Sequence, residues 1–287
     1  MTNNNEHIRD VAKKSADFFS KGTINWDKSE DQVWTELEKK IQQKPSGRKV
    51  FLNSKMLKYA AAAIFVLIVG LGSVVVFYQK SFESVPGQHL TVELPDGSQV
   101  QMNAGSSMKY FPLRWSVQRK IIFEGEGYFQ VEKGKKFEVK SANGITEVLG
   151  TSFNIYARDK NYRVTCLTGK VKVTINKEES VVLLPNSHAE KDNGKLTVNK
   201  NYKVEKALGW KNNQFFFAGR PLQEVIDELE RQYAVTIRLQ PELNNRNFAS
   251  NFSKKYNVEE VLDFICKSMQ IKFVKQSENV FLIVEKS

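Results

Sequence analysis

The sequence predicts a multi-domain membrane protein. It has a short all-α cytoplasmic head, one transmembrane helix, an all-β exported domain (sandwich, roll or solenoid-like stack) and a small α+β domain of two β-α-β repeats. Three observations predict it. Tyr59 to Tyr78, YAAAAIFVLIVGLGSVVVFY, is an uncharged apolar run. Between residues 85 and 205 apolar and polar residues alternate with period two in short segments. Between residues 210 and 287 two helical stripes superpose at an offset of 36 residues.

The head, residues 1–58, reads as two amphipathic helices. Ile8, Val11, Ala12, Phe18 and Phe19 fall near helical spacing in the first. The second opens on Ser29-Glu30-Asp31-Gln32, a capping box in which serine and glutamine satisfy free backbone amides. Its apolar residues Val33, Trp34, Leu37 and Ile41 make one stripe. Two short helices bury little surface against each other, so a segment this small is marginal alone. It reads either as a weakly ordered tail or as a docking segment that completes its fold on a cytoplasmic partner. Trp26, Val33, Trp34, Leu37 and Ile41 are the expected contacts, the tryptophans as anchors. Residues 42–55, with Pro45 and Gly47, read as a polar linker.

The run at residues 59–78 would rise about 30 Å as a helix, the thickness of a bilayer's hydrocarbon core. Soluble core helices are shorter and keep a polar face, and a cleaved signal peptide would begin near residue 1. Lys44, Arg48, Lys49, Lys55 and Lys58 precede the run, whereas a similar window after it holds only Lys80. Basic flanks stay in the cytoplasm, so the head is expected inside and the rest exported. Gly70, Gly72 and Ser73 weaken the helix locally. Such residues are common in membrane helices; they would also suit a segment that an intramembrane protease unwinds.

In the exported all-β domain, about 85–205, Leu90, Val92 and Leu94 alternate with polar residues, as do Val171, Val173 and Ile175. Further strands are expected at 99–103, 119–123, 128–131, 137–140, 145–149, 153–157, 162–167, 180–184 and 195–199. Pro95-Asp96-Gly97, Asn143-Gly144 and Asp192-Asn193-Gly194 are turn signals between them. The ordered motifs are VELPDGS at 92–98, VQMNA at 100–104, FEGEGYFQV at 123–131, FEV at 137–139, VLGTSFNI at 148–155, LTGKV at 167–171 and Leu184-Pro185. This series resembles the FecR family of transmembrane anti-sigma factors, in the form common in Bacteroidetes. Asn186 stands where a glycine is usual, and Gln130 where an acidic residue is common.

In the last domain, about 210–287, one stripe follows Pro221 (Leu222, Val225, Ile226, Leu229, Tyr233). The other follows the cap Asn257-x-x-Glu260 (Val258, Val261, Leu262, Ile265, Met269). At the 36-residue shift Val235 and Ile237 match Ile271 and Phe273, and Phe216 matches Phe252, so two copies of one β-α-β element are expected. Phe215 to Phe217 open the first copy and Val280 to Val284 close the sheet. The domain is similar to the short N-terminal domains of secretins and TonB-dependent receptors. Its free edges leave strand pairing with a partner open, and Phe215, Phe216, Phe217, Val280 and Leu282 are the expected contacts.

No motif requires chemistry. His7, His89 and His188 lie in three different segments, and Gly150-Thr-Ser152 lacks the second glycine of a hydrolase elbow. Glu124 and Glu126 share a strand face at about 7 Å, near glycosidase spacing, but a solvated face is the expected reading. Lys133 to Lys136 reads as a charged turn. No cofactor or metal is expected. Cys166 and Cys266 lie in different predicted domains and read as buried small hydrophobes, although a bridge is permitted outside the cytoplasm. Net charge is +11, with 12 Lys+Arg against 8 Asp+Glu in the head. The basic residues are interspersed with acidic ones, so direct nucleic-acid binding is not expected.

The resemblance implies an inner-membrane regulator with its C-terminus in the periplasm. Its implied partners are an extracytoplasmic-function sigma factor, the signalling domain of a TonB-dependent outer-membrane receptor, and site-specific proteases. A membrane-anchored glycan-binding module or glycan-acting enzyme is the alternative; such an anchor would need no capped, tryptophan-bearing helix ahead of its span.

Overall fold

The computed structural model describes residues 4–21, 27–42, 54–176 and 179–286. The chain divides into two compact units, 1–65 and 66–287.

The head holds α1 (Asn4–Lys21) and α2 (Glu30–Gln42). At the start of α2 the Ser29 N–H donates to Gln32 Oε1 at 3.1 Å, one arm of the expected capping box. Glu30 and Asp31 open the helix and Lys39 and Lys40 close it, each favoured by the helix dipole at that end. No residue of α2 is buried. Trp26 and linker residues 43–53 lie outside the described residues.

Helix α3 (Ser54–Phe77) contains a span, Lys55–Phe77, with a mean hydropathy of 2.7. It is long and apolar enough to cross a membrane by length and composition, and none of it is buried inside the protein. The helix starts five residues ahead of Tyr59, because Met56 and Leu57 extend the apolar surface, and Tyr78 falls just past its end.

Thirteen strands follow among the described residues. They are β1 (Lys80–Ser84), β2 (Leu90–Glu93), β3 (Gln99–Met102), β4 (Ser106–Tyr110), β5 (Arg119–Gln130), β6 (Phe137–Lys140) and β7 (Ile145–Val148). After them come β8 (Ser152–Arg158), β9 (Asn161–Cys166), β10 (Val171–Ile175), β11 (Glu179–Leu183), β12 (Ser187–Asp192) and β13 (Lys195–Asn199). They form two sheets that share β5. One runs β1-β4-β5-β6-β7-β10-β11, the other β2-β3-β5-β8-β9-β12-β13. The inward positions of both enclose one core, in which Phe129 stacks on Phe153 at 5.1 Å and meets Phe123 edge-on at 5.2 Å.

The two strands expected at 119–123 and 128–131 are one strand bent at Gly125. Its φ is +113, and a Cβ there would sit 2.3 Å from Ser106 Oγ. Only glycine lets the strand turn the corner between sheets this close to β4. Asn186 has φ +63, a left-handed position that explains why glycine would also serve there.

The C-terminal part contains α4 (Glu205–Leu208), β14 (Gln214–Pro221), α5 (Leu222–Tyr233), β15 (Thr236–Leu239), β16 (Asn247–Ser253), α6 (Val258–Met269), β17 (Ile271–Ser277) and β18 (Val280–Glu285). Helices α5 and α6 have equal length, start 36 residues apart and end on left-handed residues, Ala234 and Gln270. The full capping box of Asn257 and Glu260 is present. The two copies do not complete a single sheet. Their first strands pair with each other as β14-β16, and a separate sheet runs β15-β18-β17. The Phe216–Phe252 match also fails. A bulge between Phe217 and Arg220 adds a residue before α5, so Phe215 takes the buried position and stacks on Phe252 at 5.0 Å, while Phe216 is exposed.

Candidate functional site

The stripe on α2 is the first candidate. Val33, Trp34, Leu37 and Ile41 are all exposed, Trp34 at 62%. Helical spacing puts them on one face, and nothing in the described head covers it. A chain that keeps four large apolar side chains on one short helix face in water presents a contact surface.

The proposed contacts in the C-terminal part fare unevenly. Phe215 belongs to the core and Phe217 packs against it, so only Phe216 of that trio is exposed. Strand β18 lies between β15 and β17, so Val280 and Leu282 have no free backbone edge. The open edges belong to the outer strands, and Val280 and Leu282 offer half-buried side chains on the sheet's outer face.

A third site carried no motif. The two-sheet region and the C-terminal part meet through buried polar groups. Glu126 accepts from Asn103 Nδ2 at 2.8 Å and Asn154 Nδ2 at 3.0 Å. From α5, Gln232 Nε2 donates to Asn103 Oδ1 at 2.7 Å and to Glu228 at 2.8 Å. Trp210 Nε1 donates to Asn154 Oδ1 at 3.2 Å. Arg231 binds Glu228 at 2.9 Å, and Arg158 donates to the Ala104 and Gly105 carbonyls, both at 2.8 Å. Glu126 is therefore buried, contrary to the solvated face expected; only Glu124 is exposed. Burial, then the charge of Glu228, pushes the Glu126 pKa up to about 7. Burial also opposes ionisation of Glu228, but Arg231 and Arg158 outweigh it and hold that pKa low.

A cleft of about 410 Å³ opens beside this joint, with Tyr156, Arg163, His188, Tyr202, Phe216 and Arg220 on its walls. Arg163 lies 3.8 Å over the Tyr156 ring and binds Glu224 of α5 at 2.6 Å; Arg220 of β14 grips Glu190 of β12 with both terminal guanidinium nitrogens. His188 stacks on Tyr202 at 4.2 Å, and burial lowers its pKa to about 4, so it stays neutral. These charges pair with one another across the joint. Among the described residues no group of three or more His, Cys, Asp or Glu is placed to hold a metal. Cys166 and Cys266 are both free and buried.

The FecR protein model matches residues 81–172, and the model of the FecR C-terminal region matches residues 214–283. Two crystal structures of a "putative anti-sigma factor" from Parabacteroides distasonis ATCC 8503 are similar to this chain. One, at 2.50 Å resolution, has a TM-score of 0.67 and 30% identity, over 73% of this chain and 100% of the other. The chain belongs to the FecR family of anti-sigma factors. The second structure, at 1.65 Å resolution, gives 0.67 and 31% over 72% and 100%. No curated protein matches the chain. FecR family membership makes the chain a regulator and implies a sigma-factor partner. The two matched regions meet at the joint of Glu126 and Glu228. Sequence reading missed that joint because its members are scattered from Asn103 to Gln232. The one available signal was Glu126, a charge held between Gly125 and Gly127 just ahead of the apolar Tyr128 and Phe129.

Proposed function

We propose that this FecR protein is a single-pass inner-membrane regulator of an extracytoplasmic-function sigma factor. Residues 1–58 lie in the cytoplasm and keep the sigma factor from RNA polymerase, residues 59–78 cross the bilayer, and residues 85–205 and 210–287 are periplasmic. The exposed α2 stripe carries this reading: an anti-sigma family member with an uncovered Val33, Trp34, Leu37 and Ile41 face has a place for its partner to bury. Trp26 contributes a second aromatic anchor. The basic flank ahead of α3 supports the orientation.

The periplasmic part reads the N-terminal signalling domain of a TonB-dependent outer-membrane receptor, with Phe216 and the outer side chains of Val280 and Leu282 at the contact. A single rigid helix has no evident two-state switch, so release proceeds through site-specific proteases that cut the exported part and then α3. The protein touches no nucleic acid itself. The test is co-purification of the full chain in detergent with the extracytoplasmic-function sigma factors of its host. Wild type retains one of them and Leu37→Glu, which charges the stripe, loses it; retention of none by the wild type overturns the reading.

A further inference from the structure

The register of the first sheet gathers several loops at one end. Strand β1 starts at Lys80, after only Tyr78 and Gln79, so this end lies within about 10 Å of the last residue of α3. Lys80 pairs with Tyr110, which brings out the 111–118 loop beside it. Phe137 pairs with both Arg119 and Val148, placing the 131–136 loop and Leu149 at the same end. Val171 pairs with Leu183, adding Lys170 and Leu184.

Apolar tips stand out here. Val117 is 84% exposed and Leu149 65%, and Leu113 and Leu184 are exposed as well. The 111–118 loop is not a slack excursion. Trp115 is buried edge-on against Tyr110 at 5.3 Å and Phe137 at 5.8 Å, and the Val117 and Gln118 amides both donate to the Arg114 carbonyl. Leu113 and Val117 are thus displayed on a fixed base. Around them Arg114, Lys133, Lys135 and Lys170 have no ion-pair partner among the described residues. Lys136 and Lys172 both bind Glu147. Glu93, Glu132 and Glu138 are the other acids at this end among the described residues besides Asp96, which Arg119 neutralises, so the edge stays net cationic. Large apolar tips ringed by lysine and arginine match the requirements of a lipid surface, where apolar groups sink below the headgroups and the amines reach up to phosphates.

We propose that this end of the first sheet rests on the anionic headgroups of the bilayer that α3 crosses, with Leu113, Val117, Leu149 and Leu184 seated at the headgroup–acyl boundary. The contact would hold the periplasmic part in one orientation at the membrane. It rests on the reading that α3 spans a bilayer.

Spin labels test it on the full chain in nanodiscs containing phosphatidylglycerol. Labels go on Val117→Cys and Leu149→Cys, with Leu67→Cys as the lipid reference and Lys160→Cys, at the far β8–β9 turn, as the water reference; both native thiols are buried. The expected result is several-fold less access to an aqueous nickel chelate at 117 and 149 than at 160. That protection should be lost in phosphatidylcholine discs, and lost in the R114Q/K133Q/K135Q/K170Q variant. Equal water access at 117 and 160 overturns the proposal, as does equal protection in both lipids. Equal protection by soluble polyphosphate in micelles overturns it too, in favour of a general anion patch. A water-exposed label at 67 would instead refute the spanning reading, which separates the two failures.

Discussion

Glu126 in β5 and Glu228 in α5 share one donor: the Asn103 side-chain amide lies 2.8 Å from the first and 3.4 Å from the second. The two carboxylates come from the two family-matched regions, so the state of this pair bears on how firmly those regions hold together. Arg158 and Arg231 supply two positive charges nearby, enough to keep Glu228 ionised but not enough to relieve Glu126 of its burial.

The joint should therefore be most stable in mild acid. Glu126 has a raised pKa when buried, so its contribution is full below the usual 4.5 and is lost as pH rises through about 7. Glu228 has a lowered pKa, so its contribution is present above 4.5 and lost as pH falls further. Thermal melts of the protein in detergent should peak near pH 4.5, decline from there to about pH 7 and level off above it. Glu126→Gln keeps the size, removes the charge and should flatten that decline between pH 4.5 and 7; an unchanged decline would mean that Glu126 does not cause it.

Gly125→Ala should damage the fold at its corner. The new methyl would meet Ser106 Oγ at 2.3 Å and Ser106 Cα at 2.6 Å, at a φ that L-residues avoid. Overpacking and backbone strain together predict a loss of about 3 kcal/mol or more, read from chemical denaturation. A loss under about 1 kcal/mol would show that β5 can turn between sheets without this close approach.

Much of the architecture was legible because it depends on periodicity. Strands β6, β10 and β13 fall where alternation puts them, and the 36-residue shift anticipates both C-terminal helices. Strands β1, β4 and β12 escaped for a physical reason. In β4 Ser106 fills a buried position beside Met108 and Tyr110, and in β12 the buried run is Ser187, His188 and Ala189; small or polar groups at such positions blur the alternation. Glu126 reads in sequence as part of a solvated strand face, yet it and His188 are covered by elements from elsewhere in the chain. The separation into two C-terminal sheets was equally hidden, since identical patterns suit one sheet or two.

Gly70 and Gly72 have no atoms within 4 Å of where a Cβ would stand, so alanine at both should fit without strain. Each change should stiffen α3 by about 1 kcal/mol. If an intramembrane protease must unwind this segment, Gly70→Ala/Gly72→Ala should slow appearance of the cleaved head in cells. An unchanged cleavage rate, measured by immunoblot, would place the unwinding elsewhere.

Trp34→Ala should weaken sigma-factor capture by about 2 kcal/mol, or roughly 30-fold in Kd, if the side chain is a central anchor. Because Trp34 is exposed, the melting temperature of the protein without the sigma factor should not move. Titration of labelled sigma factor onto both forms would settle the point; equal affinities would remove Trp34 from the contact.

The most direct measurement is topology. Reporters active only in the cytoplasm or only in the periplasm can be fused after residue 30, within α2, and after residue 250, within β16. The single-span arrangement requires cytoplasmic activity at the first site and periplasmic activity at the second. Both reporters active on the same side of the membrane would contradict it.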